Sequence, residues 1–181
     1  MHVQTHILSG WCVANLVPTF APRDRLLCML AASLADLDAL GIVFGQETYW
    51  EYHHKLGLNL LYGILLCIIL TLFATRRLLA FAVCLGFYHL HLLMDYYGSG
   101  PGWGIPYLWP FSPREWRSSD AWPFYSWQNL SAFVILLLWT IWIVWRQRRT
   151  PLESVMPNLD RQLVRLLPRP EGAVAPQRTK R

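Results

Sequence analysis

Apolar residues along this chain are gathered into long runs, separated by short basic or aromatic segments. Three runs are strong, at residues 58–74, 78–94 and 130–145, and two weaker runs precede them at residues 7–20 and 26–44. The strong runs are close to the roughly 17–25 residues with which an α-helix crosses a bilayer. The pattern therefore predicts an all-α, polytopic membrane bundle of about five transmembrane helices.

Composition supports the same class. Of the 181 residues, 54% are hydrophobic and 15% are charged, whereas a soluble domain carries about a quarter charged residues. The four cysteines lie in apolar stretches and form no C-x-x-C pair, so we expect buried, reduced thiols. They are Cys12, Cys28, Cys67 and Cys84.

Basic residues mark one side of the predicted bundle. Arginine clusters follow the first, third and fifth runs: Arg23 and Arg25, Arg76 and Arg77, and Arg146, Arg148 and Arg149. If all five runs cross, one side holds thirteen Lys and Arg with four acids, and the other holds three with seven acids. The net +5 of the chain thus divides into +9 and −4. By the positive-inside rule the C-terminus is cytoplasmic and the N-terminus outside, and no basic face is left for nucleic acid.

Two segments flank the last run. The outer loop before it is rich in Trp, Pro and Gly, which suits anchors in the headgroup belt or a lid over an outer-face site. Residues 1–149 form the predicted membrane domain, and residues 150–181 form a cytoplasmic tail. Residues 158–167 align leucines opposite Arg161 and Arg165, which predicts an interfacial helix. The Pro-containing last dozen residues predict disorder.

Histidine and aspartate near the apolar runs are the strongest functional signal, because ionisable groups are costly inside a membrane. Six stand out: His6, Asp36, Asp38, His53, His91 and Asp95. Counted from the arginine clusters at about 1.5 Å per residue, His6, Asp38, His91 and Asp95 reach the outer part of a hydrocarbon core about 30 Å thick. His53 lies just before the third run, on the same side. We therefore expect one layer of ligands near the outer interface.

These residue types suit zinc or a similar divalent ion. His91 and Asp95 are four apart and share a helix face, so they can chelate one ion or form a structural pair. Asp36 and Asp38 need a non-helical backbone to point together. So arranged, they could bridge two ions for displacement at phosphorus, or simply cap a helix end. His54 and His89 are weaker candidates.

The same residues carry a family resemblance. The segments HILSG at His6, SLADLD ending at Asp38, YHHKLGLN around His53, and HLLMD followed by GIPYLWP resemble the bacterial inner-membrane metal-dependent hydrolases. That family is similar in ligand pattern to zinc-dependent phospholipase C. The resemblance covers about residues 6–111 and implies a helical enzyme of the cytoplasmic membrane that holds one or two divalent ions, zinc above all.

Three positions depart from the family pattern. Ala35 and Ala39 stand where the PDxDH motif has Pro and His. Leu58 stands where the HRGxTHS motif has its second His, counting from His53, and Asn59 stands there if the count begins at His54. One expected ligand is therefore missing.

The sequence thus favours a membrane-bound metal-dependent hydrolase that acts at the outer face on a phosphoester or ester of a lipid or lipid-linked substrate. The sequence does not fix how Asp36 and Asp38 divide the roles of base and ligand, and we take Asp36 as catalytic. The metal ligands would then be His6, Asp38, His53, His91 and Asp95. Leu58 supports an alternative, a catalytically inactive relative that acts as a membrane binding or assembly protein. A small transporter is disfavoured because the chain has no internal repeat.

Overall fold

The computed structural model describes residues 1–53 and 55–168, which are helical apart from their connections. The elements in chain order are α1 (Val3–Ala14), α2 (Pro22–Ser33), a 3₁₀ segment (Leu34–Phe44), α3 (Gln46–Tyr52), α4 (Leu60–Thr71), α5 (Arg77–Gly98), α6 (Trp127–Gln147) and α7 (Pro157–Leu166). Across the described ranges, the only β-structure is an isolated antiparallel bridge between Ile105 and Trp116. The predicted all-α class is confirmed.

Three helical stretches in the described residues are long and apolar enough to cross a membrane: Pro22–Phe44, α5 and α6. By contrast, α1 and α4 have 12 residues each, so each rises about 18 Å against a hydrocarbon core of about 30 Å. The prediction of five transmembrane helices is therefore not confirmed. The apolar run that contains α4 extends beyond the helix at both ends, because Asn59 caps the start by accepting the N–H of Tyr62 and the helix ends at Thr71.

Small residues let α1, α2, α4 and α5 pack closely. A Cβ at Gly10 would lie 2.8 Å from the carbonyl oxygen of Cys28, and one at Gly63 would lie 2.2 Å from the ring of Tyr88. Such contacts between small residues are typical of helix packing in membranes, where van der Waals contact replaces the hydrophobic effect. All four cysteines are buried and free, as the sequence indicated.

The segments that carry the three arginine clusters meet at one end of the bundle. Asp24 accepts hydrogen bonds from the backbone N–H and the hydroxyl of Thr75, at 2.9 and 2.5 Å. Arg25 donates to both carboxylate oxygens of Glu153, at 2.5 and 2.7 Å. We call this the basic end. The three clusters therefore share one end of the molecule, whether or not all five runs cross the membrane.

The tail begins with an ordered helix. α7 matches the predicted residues 158–167 to within one residue at each end. The Arg148 side chain donates to the backbone carbonyls of Val164 and Leu167 at the C-terminal end of α7. Near the start of α7, the Asp160 carboxylate accepts the N–H of Thr150 at 2.6 Å. The disorder predicted for the last dozen residues falls outside the described part of the chain.

Candidate metal centre

Four of the six singled-out residues converge at the end of the bundle opposite the basic end. His6 comes from α1, Asp36 from the 3₁₀ segment, and His91 and Asp95 from the last third of α5. One ligand atom from each lies within 4.8 Å of the ligand atoms of the other three. The side chains of His6, His91 and Asp95 are at most 1% exposed, and that of Asp36 is 13% exposed. We call these four residues the His/Asp group.

The orientation of His91 is fixed by the backbone of a neighbouring helix. Its Nδ1 lies 2.8 Å from the carbonyl oxygen of Ala32 in α2 and donates to it. In a neutral imidazole the other nitrogen is then an acceptor. That Nε2 faces Asp95 Oδ2 at 3.1 Å and Asp36 Oδ1 at 3.4 Å. With His91 neutral, three acceptor atoms face one another, which is the arrangement that a cation stabilises, whether that cation is a metal ion or a proton on Nε2.

His6 and the chain's first residue complete the surroundings of Asp95. His6 Nε2 lies 3.2 Å from Asp95 Oδ1, and its ring lies 3.9 Å from the His91 ring, centroid to centroid. The amino group of Met1 contacts the same carboxylate oxygen and lies 3.1 Å from the hydroxyl of Ser99. One positive charge therefore accompanies two histidines and two carboxylates, of which that of Asp95 is fully buried and that of Asp36 partly exposed.

The His/Asp group suits a divalent ion, both because its members are ligand types for such ions and because some of its buried polar atoms lack a hydrogen bond. Three buried atoms of the group have no hydrogen-bond partner among the described residues: His6 Nδ1, His91 Nε2 and Asp95 Oδ2. The ligand atoms of one tetrahedral zinc ion, each about 2.0–2.2 Å from it, lie about 3.3–3.6 Å apart. The observed spread of up to 4.8 Å therefore needs an inward movement of about 1 Å. A divalent charge would offset the two carboxylates.

Asp38 and His53 form a separate pair beside the group. The Asp38 carboxylate receives the Gly57 N–H at 3.0 Å and lies 2.9 Å from His53 Nδ1. The 3₁₀ backbone explains why Asp36 and Asp38 diverge, since residues two apart are about 120° apart around such a helix. One carboxylate consequently faces α5, and the other faces the segment that precedes α4.

A cavity lies between the His/Asp group and the pair of Asp38 and His53. It has a volume of about 410 Å³, and Asp36, Asp95 and His53 lie on its wall with Tyr49 and Trp103. Burial, and then the nearby carboxylates of Asp36 and Asp38, raise the pKa of the Tyr49 phenol, so that side chain is a neutral hydrogen-bonding group. Trp103 belongs to the Trp-, Pro- and Gly-rich loop between α5 and α6, and its side chain lies at the cavity wall.

Comparison with known proteins gives one match. The family model of the YdjM inner membrane protein covers residues 1–158. The chain belongs to the YdjM inner membrane protein family. No curated protein and no solved structure matches the chain.

Membership of the YdjM family supports the predicted inner-membrane setting, and the family's description names no reaction. The chemistry of this YdjM family member therefore rests on its own side chains. Its match extends past α6 into the start of α7, so it covers the whole candidate site.

Several sequence candidates lie elsewhere. His89 points away from the group, with Nδ1 at 2.8 Å from the carbonyl of Leu85 and Nε2 at 2.9 Å from the Tyr107 hydroxyl. Leu58 is fully buried in the apolar core, and Asn59 caps α4. The weaker candidate His54 is outside the described residues.

Sequence reasoning missed the supporting atoms of this YdjM site. The Ala32 carbonyl, the Ser99 hydroxyl and the ring of Phe124 were not singled out, although each contacts the group or lines its cavity. A backbone carbonyl leaves no trace in a residue pattern. Ser99 was findable, because it lies four residues after Asp95 on the same helical face.

Proposed function

We propose that this YdjM family member is a membrane-embedded, metal-dependent hydrolase whose metal ligands are His6, Asp36, His91 and Asp95. The observation that carries the proposal is the set of buried acceptor atoms that face one another at the wall of a cavity. A group of this kind inside an apolar bundle is costly, and a bound cation removes that cost. Asp36 thereby becomes a ligand, and Asp38 leaves the ligand set.

The protein's own residues would divide the work between holding and positioning. The Ala32 carbonyl fixes the His91 tautomer so that Nε2 presents its lone pair, as is usual for metal-bound histidine. A divalent ion, when bound, acts as a Lewis acid and lowers the pKa of water it coordinates to about 7. Asp38 orients His53 at the cavity wall, where His53 would carry protons to and from the reacting groups.

The setting favours a substrate in the membrane. If the basic end is cytoplasmic, as the positive-inside rule favours, the cavity opens near the outer leaflet and the N-terminus lies outside. A phosphoester or ester of a lipid or lipid-linked molecule is then the natural substrate class. A reporter that works only in the cytoplasm should be active when fused after α7, and a reporter that works only outside the cytoplasm should be inactive there. The opposite result would reverse the orientation. The same fusions after α1 and α4 would count the spans.

Elemental analysis tests the metal directly. Protein purified in detergent without chelator should retain one or two divalent ions per chain, and the double variant His91→Ala/Asp95→Ala should retain none. His89→Ala is the matched control, because His89 lies on the same helix with its ring directed to Tyr107. Wild-type protein without metal, or unchanged metal content in the double variant, would rule out the site. Hydrolysis of a phospholipid panel then tests the reaction.

A second function has one observation in its favour. Leu58 is fully buried in the apolar core where the hydrolase pattern expects a ligand, which supports an inactive relative that binds or assembles in the membrane. This function predicts bound metal with no turnover on the panel. Activity gained on Leu58→His would favour descent from an enzyme, whereas turnover by the wild type would exclude inactivity.

A further inference from the structure

An apolar groove adjoins the cavity of the His/Asp group. It has a volume of about 570 Å³ and is lined by Trp127, Leu130 and Phe133 of α6 together with His2 and Gln4 at the start of α1. That size falls within the range of about 300–1,000 Å³ typical of small-molecule sites. We call this space the α6 groove.

The α6 groove and the polar cavity share a wall. His2 and Gln4 line both spaces. The His2 ring packs edge-on against Phe124, with centroids 4.2 Å apart, and lies 5.9 Å from Tyr125. Phe124 borders the polar cavity, and Tyr125 borders the α6 groove. One molecule could therefore extend from the polar cavity into the groove past these side chains.

The position of the groove favours lipid as its surroundings. It lies over the first two turns of α6, one of the three described helices able to cross a membrane. Trp127 and Leu130 are 73% and 62% exposed, so the groove is continuous with the face that α6 turns towards the bilayer. Phe133 lies about 9 Å along the helix from Trp127, which is hydrocarbon depth if Trp127 lies at the headgroups.

We propose that the α6 groove holds a hydrocarbon chain of a membrane lipid whose polar headgroup lies in the adjoining cavity. The chain-binding part stands on the groove alone. The further conclusion, that the substrate is a chain-bearing lipid rather than a water-soluble ester, rests on the proposed hydrolase function. Binding of the chain in the groove would hold the ester or phosphoester bond of the lipid headgroup beside Asp36 and Asp95.

Photo-labelling of the unmodified protein is the first test. The full chain is reconstituted in nanodiscs that contain a phospholipid with a diazirine near the end of one acyl chain, and labelled peptides are mapped by mass spectrometry. Labels concentrated on residues 125–133 support the proposal. Labels spread evenly over the exposed faces of α4, α5 and α6 overturn it, as does a Leu130→Cys variant that forms dimers through this face under oxidation.

A matched pair of variants gives the second test. Leu130→Trp fills the groove, whereas Leu138→Trp changes a residue of equal exposure, 60%, farther along the same helix. We expect labelling of the groove to fall about tenfold in the first variant through lost methylene contacts, and to be unchanged in the second. Equal labelling in both variants overturns the proposal.

Measurements of metal content and turnover distinguish failure of chain binding in the α6 groove from failure of the proposed hydrolase function. Leu130→Trp should keep the wild-type metal content, because Leu130 does not belong to the His/Asp group. If the hydrolase is real, this variant should lose activity on the long-chain lipid and keep it on a short-chain analogue. Concentrated labelling without turnover on any substrate would retain the groove and reject the hydrolase.

Discussion

The two ends of the helical bundle both bury charged side chains, but the hydrogen bonding of those side chains differs. At the basic end, Asp24 is 1% exposed, and both its oxygens accept hydrogen bonds, from Ala21 and Thr75. Arg25 is held by Glu153 and by the carbonyl of Phe20. At the other end, His91 Nε2 and Asp95 Oδ2 are buried without a hydrogen bond from the described residues.

This difference separates structural charge from charge suited to ligand binding. Buried polar groups are nearly always satisfied, so each exception in a native protein requires an explanation. The pairs at the basic end join α2 to the turn before α5 and to the segment after α6, and this is a sufficient reason for them. The His/Asp group has acceptors in excess, and a cation is the simplest partner for them.

The largest expected effect is on stability at the basic end. Glu153→Ala removes the partner of Arg25, whose side chain is 3% exposed, and should destabilise the protein by about 3–5 kcal/mol because a buried charge is left unpaired. Denaturant unfolding in detergent measures the change. Glu115→Ala is the control, since Glu115 pairs with a 59% exposed Arg117 and should cost about 0–1 kcal/mol. Equal costs would mean that the Arg25 pair is not structural.

Removal of metal should give the next largest effect, confined to the His/Asp group. At a free metal concentration of about 100 times Kd, binding stabilises the folded state by about 2.7 kcal/mol. Chelator should therefore lower the melting temperature of the wild type and of His89→Ala, and leave that of His91→Ala/Asp95→Ala unchanged. A wild-type melting temperature indifferent to chelator would mean that a protonated His91 satisfies the carboxylates as a structural pair.

The pair beside the group should control rate more than binding. Asp38→Asn keeps the shape of the side chain but weakens its hydrogen bond with His53. Residues that orient a functional histidine in this way typically contribute about 10–100-fold to activity. We expect hydrolysis to fall by that factor while metal content is retained. Loss of metal together with activity would return Asp38 and His53 to the ligand set that the sequence favoured.

What the sequence could predict follows from local geometry. The spacing of His91 and Asp95 was sufficient for their shared face, and long apolar runs marked α5 and α6. The separation of Asp36 from Asp38 was not accessible, because it depends on a 3₁₀ segment that a short alternation such as LADLD does not distinguish from a helix. The length of α4 was also hidden, since Asn59 starts it after the apolar Leu58. An apolar run records burial in lipid or protein, not the bounds of a helix.

The smallest effect should come from one hydrogen bond at the basic end. Thr75→Val removes the hydroxyl that donates to Asp24 Oδ2 but leaves the backbone N–H that donates to Oδ1, so the cost should be about 1.5 kcal/mol, as for one bond to a charged group. Thr71→Val is the matched control, because its hydroxyl bonds only the carbonyl of Ile68 within its own helix. Metal content should be unchanged in both. A Thr75→Val protein that loses metal would show that the two ends are coupled through α5. It would contradict the assignment of structural charges to the basic end and ligand-binding charges to the other end.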